Sequence, residues 1–130
     1  LSSSIVGILA QRLVRKLCDH CKYPYQLNQE EMRILTNILT NPQKNDIHIF
    51  EPKGCEHCNF TGYLGRTGIY ELILVDETLR SMIHRQDSAQ EIEKYIRPTT
   101  TSIREDGCKR VILGDTSISE VLRVTSNTSK

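Results

Sequence analysis

Two stretches, "LVRKLCDHCKYPY" (residues 13–25) and "PKGCEHCNFTGYLGR" (residues 52–66), each contain two cysteines separated by two residues. Cys18 and Cys21 form the first pair, Cys55 and Cys58 form the second, and both pairs have the form Cys-acid-His-Cys. Each C-x2-C turn, here called a knuckle, can present two thiolates from one tight turn, and two knuckles complete a tetrahedral shell. The pattern therefore predicts a structural zinc site with these four cysteines as ligands.

Two other uses of the cysteines are a redox centre and a disulfide framework. A redox centre needs only one C-x-x-C pair and a thioredoxin-like strand–helix context, which the sequence lacks. A secreted disulfide framework favours an even number of cysteines at wider spacings, whereas this chain has five. The fifth, Cys108, is predicted to be a small, partly buried helical residue.

The two knuckles also contain His20 and His57. Because four cysteines already fill a tetrahedral shell, we predict that these histidines are exposed residues at the knuckle tips rather than ligands. A closed shell leaves no open coordination position, so the centre is predicted to be structural rather than catalytic.

The overall charge does not favour a nucleic-acid partner. The 130-residue chain has a net charge of +1, no tryptophan, five tyrosines and two phenylalanines. A single-stranded nucleic-acid site needs a basic surface with stacking aromatic rings. One cluster suggests such a surface, and it consists of Lys16, Lys22, Tyr23 and Tyr25. We therefore predict no nucleic-acid partner and keep a zinc module that binds nucleic acid as an alternative.

Two further absences limit the function. The longest uncharged apolar runs, "IVGILA" (residues 5–10) and "LILV" (residues 72–75), are far shorter than the roughly 20 residues of a membrane-spanning helix. The sequence contains no G-x-x-x-x-G-K-[ST] loop, H-E-x-x-H or G-x-S-x-G motif. We therefore predict no membrane span, no catalytic residue and no nucleotide-binding residue within these 130 positions.

The elements around the knuckles indicate an α+β fold. One of the serines at positions 2–4 could cap a short helix, and "QRLVRKL" (residues 11–17) is compatible with a strand or a helix end. Asn28 and Glu31 form a capping box for a helix that should end near Asn41, before Pro42. This helix is predicted to be inserted between the knuckles, ahead of a short strand in residues 47–51.

After the second knuckle, "GIYELILV" (residues 68–75) is predicted to be a buried strand. Capping residues and stop signals then predict a bundle of short helices in residues 76–84, 88–97, 102–114 and 117–125. The predicted fold is thus a small zinc-knuckle subdomain with an inserted helix, short strands and a C-terminal helical bundle.

Four segments, in this order, carry a resemblance to a known family: "LAQRLVRKLC", "CDHCK", "GCEHCNFTGYLGRTGIYELI" and "RPTTTSIREDGCKRVILGDTSISEVLRVT". They resemble the C-terminal part of type II secretion ATPases, which are similar to the assembly ATPases of type IV pili. The resemblance covers essentially all 130 residues. It implies that Cys18, Cys21, Cys55 and Cys58 belong to the zinc-binding subdomain of that family.

The resemblance also implies a parent protein with properties that this chain alone would not have. The parent would be a RecA-like P-loop ATPase that binds ATP and Mg²⁺ upstream of Leu1 and works as a hexameric ring. It would be cytoplasmic, peripheral at the bacterial inner membrane, and would drive pseudopilus growth through inner-membrane platform proteins. We therefore expect this chain to begin inside a longer protein and to have no ATPase activity alone.

Within this scheme, the chain would divide into three segments. Residues 1–17 would be the C-terminal edge of the ATPase core, residues 18–62 the tetracysteine subdomain, and residues 63–130 a strand or hairpin followed by the helical subdomain. Arg12, Arg15 and Arg66 could contact a neighbouring subunit or nucleotide, or could instead form local ion pairs on the surface.

Overall fold

The computed structural model describes residues 6–38 and 48–126 and confirms the predicted α+β class. Four strands, five α-helices and one short 3-10 turn occur in this part of the chain. In chain order these are β1 (Val6–Leu17), β2 (Tyr23–Tyr25), α1 (Gln29–Ile38), β3 (Ile49–Glu51), the 3-10 turn (Glu56–Cys58), β4 (Tyr63–Val75), α2 (Glu77–His84), α3 (Ala89–Ile96), α4 (Ile103–Ile112) and α5 (Ile118–Thr125). None of the helices in the described ranges is long and apolar enough to cross a membrane.

The two longest strands, β1 and β4, form an antiparallel sheet. Its register runs from Val6 opposite Val75 to Leu17 opposite Tyr63, with an irregularity just before Leu17. The segment "QRLVRKL" is therefore a strand, and the strand extends back to Val6; residues 1–5 lie outside the described residues. Both strands are longer than the short strands predicted, with 12 and 13 residues, because each pairs along its length with a strand 46 to 69 residues away in the chain.

The prediction that β4 is a buried strand is correct for one of its faces only. Ile69 is fully buried and Val75 nearly so, whereas Leu72 and Leu74 on the opposite face are 54% and 59% exposed. Successive side chains of a strand point to opposite faces of the sheet. The helices of this chain cover one face of the β1–β4 sheet, which leaves the alternate residues of β4 exposed.

The excursion between the knuckles, residues 22–54, has regular secondary structure toward both of its ends. Asn28 Oδ1 accepts a hydrogen bond from the Glu31 amide at 2.7 Å, and Glu31 Oε1 accepts one from the Asn28 amide at 3.1 Å. This reciprocal pair is the predicted capping box. The predicted helix end near Asn41 lies outside the described residues. Strands β2 and β3 pair antiparallel, which brings the two ends of the excursion together.

The four C-terminal helices begin at capping side chains. Asp76 accepts a hydrogen bond from the amide three residues later, at 2.8 Å, and Ser88, Ser102 and Ser117 each do so at 3.1 Å. These contacts satisfy amides that have no partner within the helix. Because donor and acceptor are only three residues apart, the sequence was sufficient to predict the caps at Asp76, Ser88 and Ser117, whereas the cap at Ser102 was not predicted.

One main core joins the sheet to the helices. It contains Val14 and Ile69 from the sheet together with residues of α1, β3, α4 and α5. At the crossing of α4 and α5, a Cβ atom on Gly107 would lie 2.7 Å from Val121 Cγ1, so a glycine is needed there. Cys108 is fully buried in this core rather than partly buried as predicted, and burial raises the pKa of its thiol to about 11.

Candidate metal centre

Each cysteine pair lies on a tight backbone turn. In the first knuckle, directly after β1, the Cys21 amide donates to the Cys18 carbonyl at 3.3 Å. In the second, the 3-10 turn brings the Cys58 amide to the Cys55 carbonyl at 3.2 Å. Both turns therefore direct two thiols of the same pair toward one point.

The four Sγ atoms lie within 4.8 Å of one another. Three of the pairs are separated by 3.7, 3.8 and 3.8 Å: Cys18–Cys55, Cys21–Cys58 and Cys55–Cys58. An ion bound to four sulfurs at about 2.3 Å places them about 3.8 Å apart in a tetrahedron. A disulfide would need about 2.05 Å, and all five cysteines are free thiols. The four cysteines are therefore positioned to hold one metal ion.

Backbone amides donate to the sulfur atoms. The Gly54 amide lies 3.3 Å from Cys21 Sγ, and the Gly62 amide lies 3.1 Å from Cys58 Sγ. A third bond joins the Cys55 amide to Cys58 Sγ at 3.3 Å. Such donors stabilise the thiolate, which is the form that binds a metal ion. The two glycines thus contribute hydrogen-bond donors as well as the tight backbone expected from the sequence.

The thiols of the second knuckle have very different acidities. For Cys58, burial disfavours the thiolate, but the amides of Cys55 and Gly62 outweigh burial and lower its pKa to about 6. For Cys55, burial dominates and raises the pKa to about 11. A bound cation would favour ionisation of all four thiols.

Gly62 and Gly54 also fit spaces that no larger residue could occupy. Gly62 has φ +83°, and a Cβ atom there would lie 2.3 Å from Pro52 Cβ. Gly54 has φ +106°, and its Cβ would lie 2.9 Å from the Phe60 carbonyl oxygen. Both positions combine a left-handed backbone with a close approach, so the second knuckle depends on glycine at both places.

Lys22 and Tyr25, two residues of the basic–aromatic cluster, are held by contacts within the chain. Lys22 Nζ donates to the Gly114 carbonyl at 3.1 Å and lies 4.9 Å from the centre of the Phe50 ring. Tyr25 Oη donates to Glu31 at 3.2 Å. The Lys22 contact attaches the first knuckle to the end of α4, which stabilises the centre rather than presenting a basic surface.

His20 and His57 are exposed, as predicted, and neither belongs to the group of atoms that could hold the ion. Their rings stack on each other, with centroids 3.8 Å apart and an angle of 14° between the planes. This contact was not predicted. The available signal was the repeated Cys-acid-His-Cys form, which gives the two histidines equivalent positions in the two knuckles.

Of the three arginines singled out in the sequence, Arg15 forms a local ion pair. Its guanidinium donates to both carboxylate oxygens of Glu120, at 3.2 and 2.9 Å, and lies 4.1 Å from the centre of the Tyr63 ring. Arg12 and Arg66 are exposed on the sheet and have no ion pair within the described ranges. The local alternative thus holds for Arg15.

Glu120 is the buried member of this network, with 2% of its surface exposed. It also accepts two hydrogen bonds from the Arg123 guanidinium, at 3.2 and 2.9 Å. Burial acts to raise its pKa, but hydrogen bonds from Arg15 and Arg123 outweigh burial and lower the pKa to about 2. The charged carboxylate therefore ties α5 to the end of β1 that leads into the first knuckle.

Comparison with known proteins identifies the family. Residues 1–123 match the family described as Type II/IV secretion system protein. The chain is 47% identical to the "Type II secretion system ATPase E" of Vibrio cholerae and 48% identical to the "Type II secretion system protein E" of Aeromonas hydrophila; each match covers 96% of this chain and 24% of the relative. It is 37% identical to the "Type IV pilus assembly ATPase PilB" of Thermus thermophilus, over 96% of this chain and 14% of that protein. The chain thus spans about a quarter of the length of its type II relatives, and it belongs to the Type II/IV secretion system protein family.

Proposed function

We propose that this chain is the C-terminal part of an ATPase that powers type II secretion by driving pseudopilus assembly. The observation that carries the proposal is the 47% identity to a secretion ATPase over 96% of this chain, which corresponds to 24% of that relative. ATP and Mg²⁺ would bind in the remaining part of the longer protein, because a G-x-x-x-x-G-K-[ST] phosphate loop does not occur in these 130 residues. Hydrolysis is thus an activity of the whole protein.

The role proposed for this chain is structural. Cys18, Cys21, Cys55 and Cys58 would hold Zn²⁺ in a closed thiolate shell, which supplies cross-linking and no open position for chemistry. The sulfur separations of 3.7 and 3.8 Å and the amide donors to Cys21 and Cys58 support this assignment. The ion would fix the base of the excursion between the knuckles.

The exposed face of the β1–β4 sheet is the proposed contact with the rest of the ATPase. This open face consists of five large apolar side chains: Leu9, Leu13, Tyr70, Leu72 and Leu74. Contiguous apolar surface of this kind marks an interaction site. We therefore assign residues 1–17 to the edge of the ATPase core, residues 18–62 to the metal subdomain, and residues 63–130 to a helical subdomain that packs beside that core.

The proposed setting is a hexameric ring at the cytoplasmic side of the inner membrane. The knuckles would face a neighbouring subunit or the membrane platform, because they extend from the sheet on exposed turns. Of the three arginines singled out in the sequence, Arg12 and Arg66 form no ion pair within the described ranges, so these two would be available to a neighbouring subunit.

The direct test compares this chain with the full-length protein encoded by its gene. The full-length protein should hydrolyse ATP and contain about one equivalent of zinc per chain, since one tetrahedral centre binds one ion. The isolated chain should retain the zinc and show no ATP binding by calorimetry. Micromolar ATP binding by the isolated chain, or a full-length protein without ATPase activity, would contradict the proposal.

A second candidate is assembly of type IV pili, which the 37% identity to a pilus assembly ATPase keeps in consideration. The higher identity to the type II proteins favours secretion. Complementation separates the two. The full-length gene should restore protein export in a strain lacking its type II secretion ATPase and should leave a pilus-assembly mutant without pili. The reverse outcome would assign the protein to pilus assembly.

A further inference from the structure

The stacked histidines link the two knuckles through side chains that are not ligands. His20 immediately precedes Cys21, and His57 immediately precedes Cys58. Their rings are nearly parallel, with centroids 3.8 Å apart. Both residues are exposed, so the contact is not imposed by a surrounding core.

Two further links between the knuckles involve backbone amides. The Cys18 amide donates to the Gly62 carbonyl at 3.0 Å, and the Gly54 amide donates to Cys21 Sγ at 3.3 Å. Each knuckle provides two of the four thiols. Withdrawal of one knuckle's pair of sulfurs from the ion would therefore also separate the two rings.

We propose that His20 and His57 are positioning residues whose stacked rings hold the knuckles together and slow the loss of the ion from the four cysteines. The inference rests on the proposed metal-binding function of the centre. The rings act through the adjacent Cys21 and Cys58, whose sulfurs lie 3.8 Å apart. Neither histidine coordinates the ion in this arrangement, because four thiolates complete the tetrahedron.

The experiment measures transfer of zinc from the loaded full chain to pyridylazoresorcinol at one neutral pH. His20→Ala and His57→Ala should each release zinc about three to ten times faster, the range expected from loss of one aromatic pair. The double alanine variant should release it no faster than either single variant, because removal of either ring abolishes the same contact. His57→Phe, which keeps a flat ring but cannot bind metal, should return the rate to within about twofold of the original.

Two controls separate stacking from other roles. His84→Ala removes an exposed histidine at the end of α2 and should leave the release rate unchanged. After substitution of cobalt for zinc, the original chain and His57→Ala should have identical sulfur-to-metal charge-transfer bands and identical d–d bands. Unchanged spectra together with faster release support a positioning role.

Several results would overturn the inference. Release that is as slow in the alanine variants as in the original chain would show that the stack has no effect. The stack would not explain the release rate if the effects of the two alanine substitutions multiplied in the double variant. The same would hold if His57→Phe released zinc as fast as His57→Ala. Altered cobalt spectra would make a histidine a ligand. A chain that binds no zinc at all would instead overturn the metal centre itself.

Discussion

The two ends of the β1–β4 sheet differ in how much of their surface this chain covers. At the end that leads into the first knuckle, Val14 and Leu17 are buried. At the other end, Val6 and Ile8, which lie on the same face of β1 as Val14, are 53% and 48% exposed. Strand β1 is thus part of a closed core at one end and of an uncovered apolar surface at the other.

The backbone of the closed end is also covered. The Arg15 amide donates to Glu120 at 3.0 Å, and the Arg15 carbonyl accepts from Thr116 Oγ1 at 2.7 Å. The Leu17 amide donates to the Asp115 carbonyl at 2.8 Å. These contacts satisfy the outer edge of β1, an edge that would otherwise attract another strand. At the closed end, backbone groups and side chains are therefore covered by other parts of this chain. At the open end, apolar side chains are left uncovered, as they are at an interface.

Removal of the metal centre should destabilise the closed end and produce the largest loss in the free energy of unfolding. Cys58→Ser should abolish retention of zinc and lower the free energy of unfolding by about 4 kcal/mol or more, since zinc sites contribute strongly to folding. Hydrogen exchange should show lost protection at the amides of Gly54 and Gly62. Cys108→Ala is the control, because it removes a thiol but should keep one ion. Retention of zinc by Cys58→Ser would contradict the four-cysteine centre.

Neutralising Glu120 should loosen the attachment of α5 to β1. Glu120→Gln should lower the free energy of unfolding by about 3 kcal/mol at neutral pH, because Arg15 and Arg123 lose a buried carboxylate partner. Chemical denaturation with saturating zinc measures this loss. Glu91→Gln, which affects an exposed pair with Lys94 at 4.0 Å, is the control and should have little effect.

The pH dependence of that difference gives a second test. The pKa of Glu120 is lowered in the folded chain to about 2 from an ordinary value of 4.5. Its stabilising contribution is therefore complete above about pH 4.5 and is lost as the pH falls toward 2. The stability difference between the original chain and Glu120→Gln should shrink over this range. A difference that stays constant would show that the carboxylate charge is not responsible.

Gly62→Ala should distort the second knuckle without removing a ligand. The substitution meets both φ +83° and a Cβ contact of 2.3 Å with Pro52, so the free energy of unfolding should fall by about 2 kcal/mol. Zinc should also be transferred faster to pyridylazoresorcinol. Gly7→Ala is the matched control, since the nearest atom to its added Cβ lies 3.6 Å away. Equal effects at the two glycines would contradict the proposed role of the close approach.

The open face of the sheet should tolerate substitution in the isolated chain. Leu72→Ala should lower the free energy of unfolding by less than about 1 kcal/mol, because half of the side chain already contacts solvent. Ile69→Ala, three residues earlier on the covered face, should cost about 3 kcal/mol by leaving a cavity. In the full-length protein, Leu72→Ala should become more costly. Equal costs for Leu72→Ala in the two proteins would argue against the proposed contact with the ATPase core.

The parts of the fold that were predictable depend on residues close in sequence. The capping contacts of Asp76, Ser88 and Ser117 connect groups three residues apart, so local pattern was enough. The C-x2-C spacing likewise requires only a tight turn to bring two sulfurs together. By contrast, "QRLVRKL" was compatible with a strand or a helix end, since its partner in β4 lies about 55 residues away.

Sequence pattern was enough to predict the α+β class, the capped starts of four helices and the identity of the four clustered cysteines, because these depend on short-range geometry and on side-chain chemistry. The folded chain was needed to learn which face of β4 is exposed, that Arg15 pairs with Glu120, and that His20 stacks on His57. Each of these depends on the relative placement of segments distant in the chain, which burial of the common core sets and no local pattern contains.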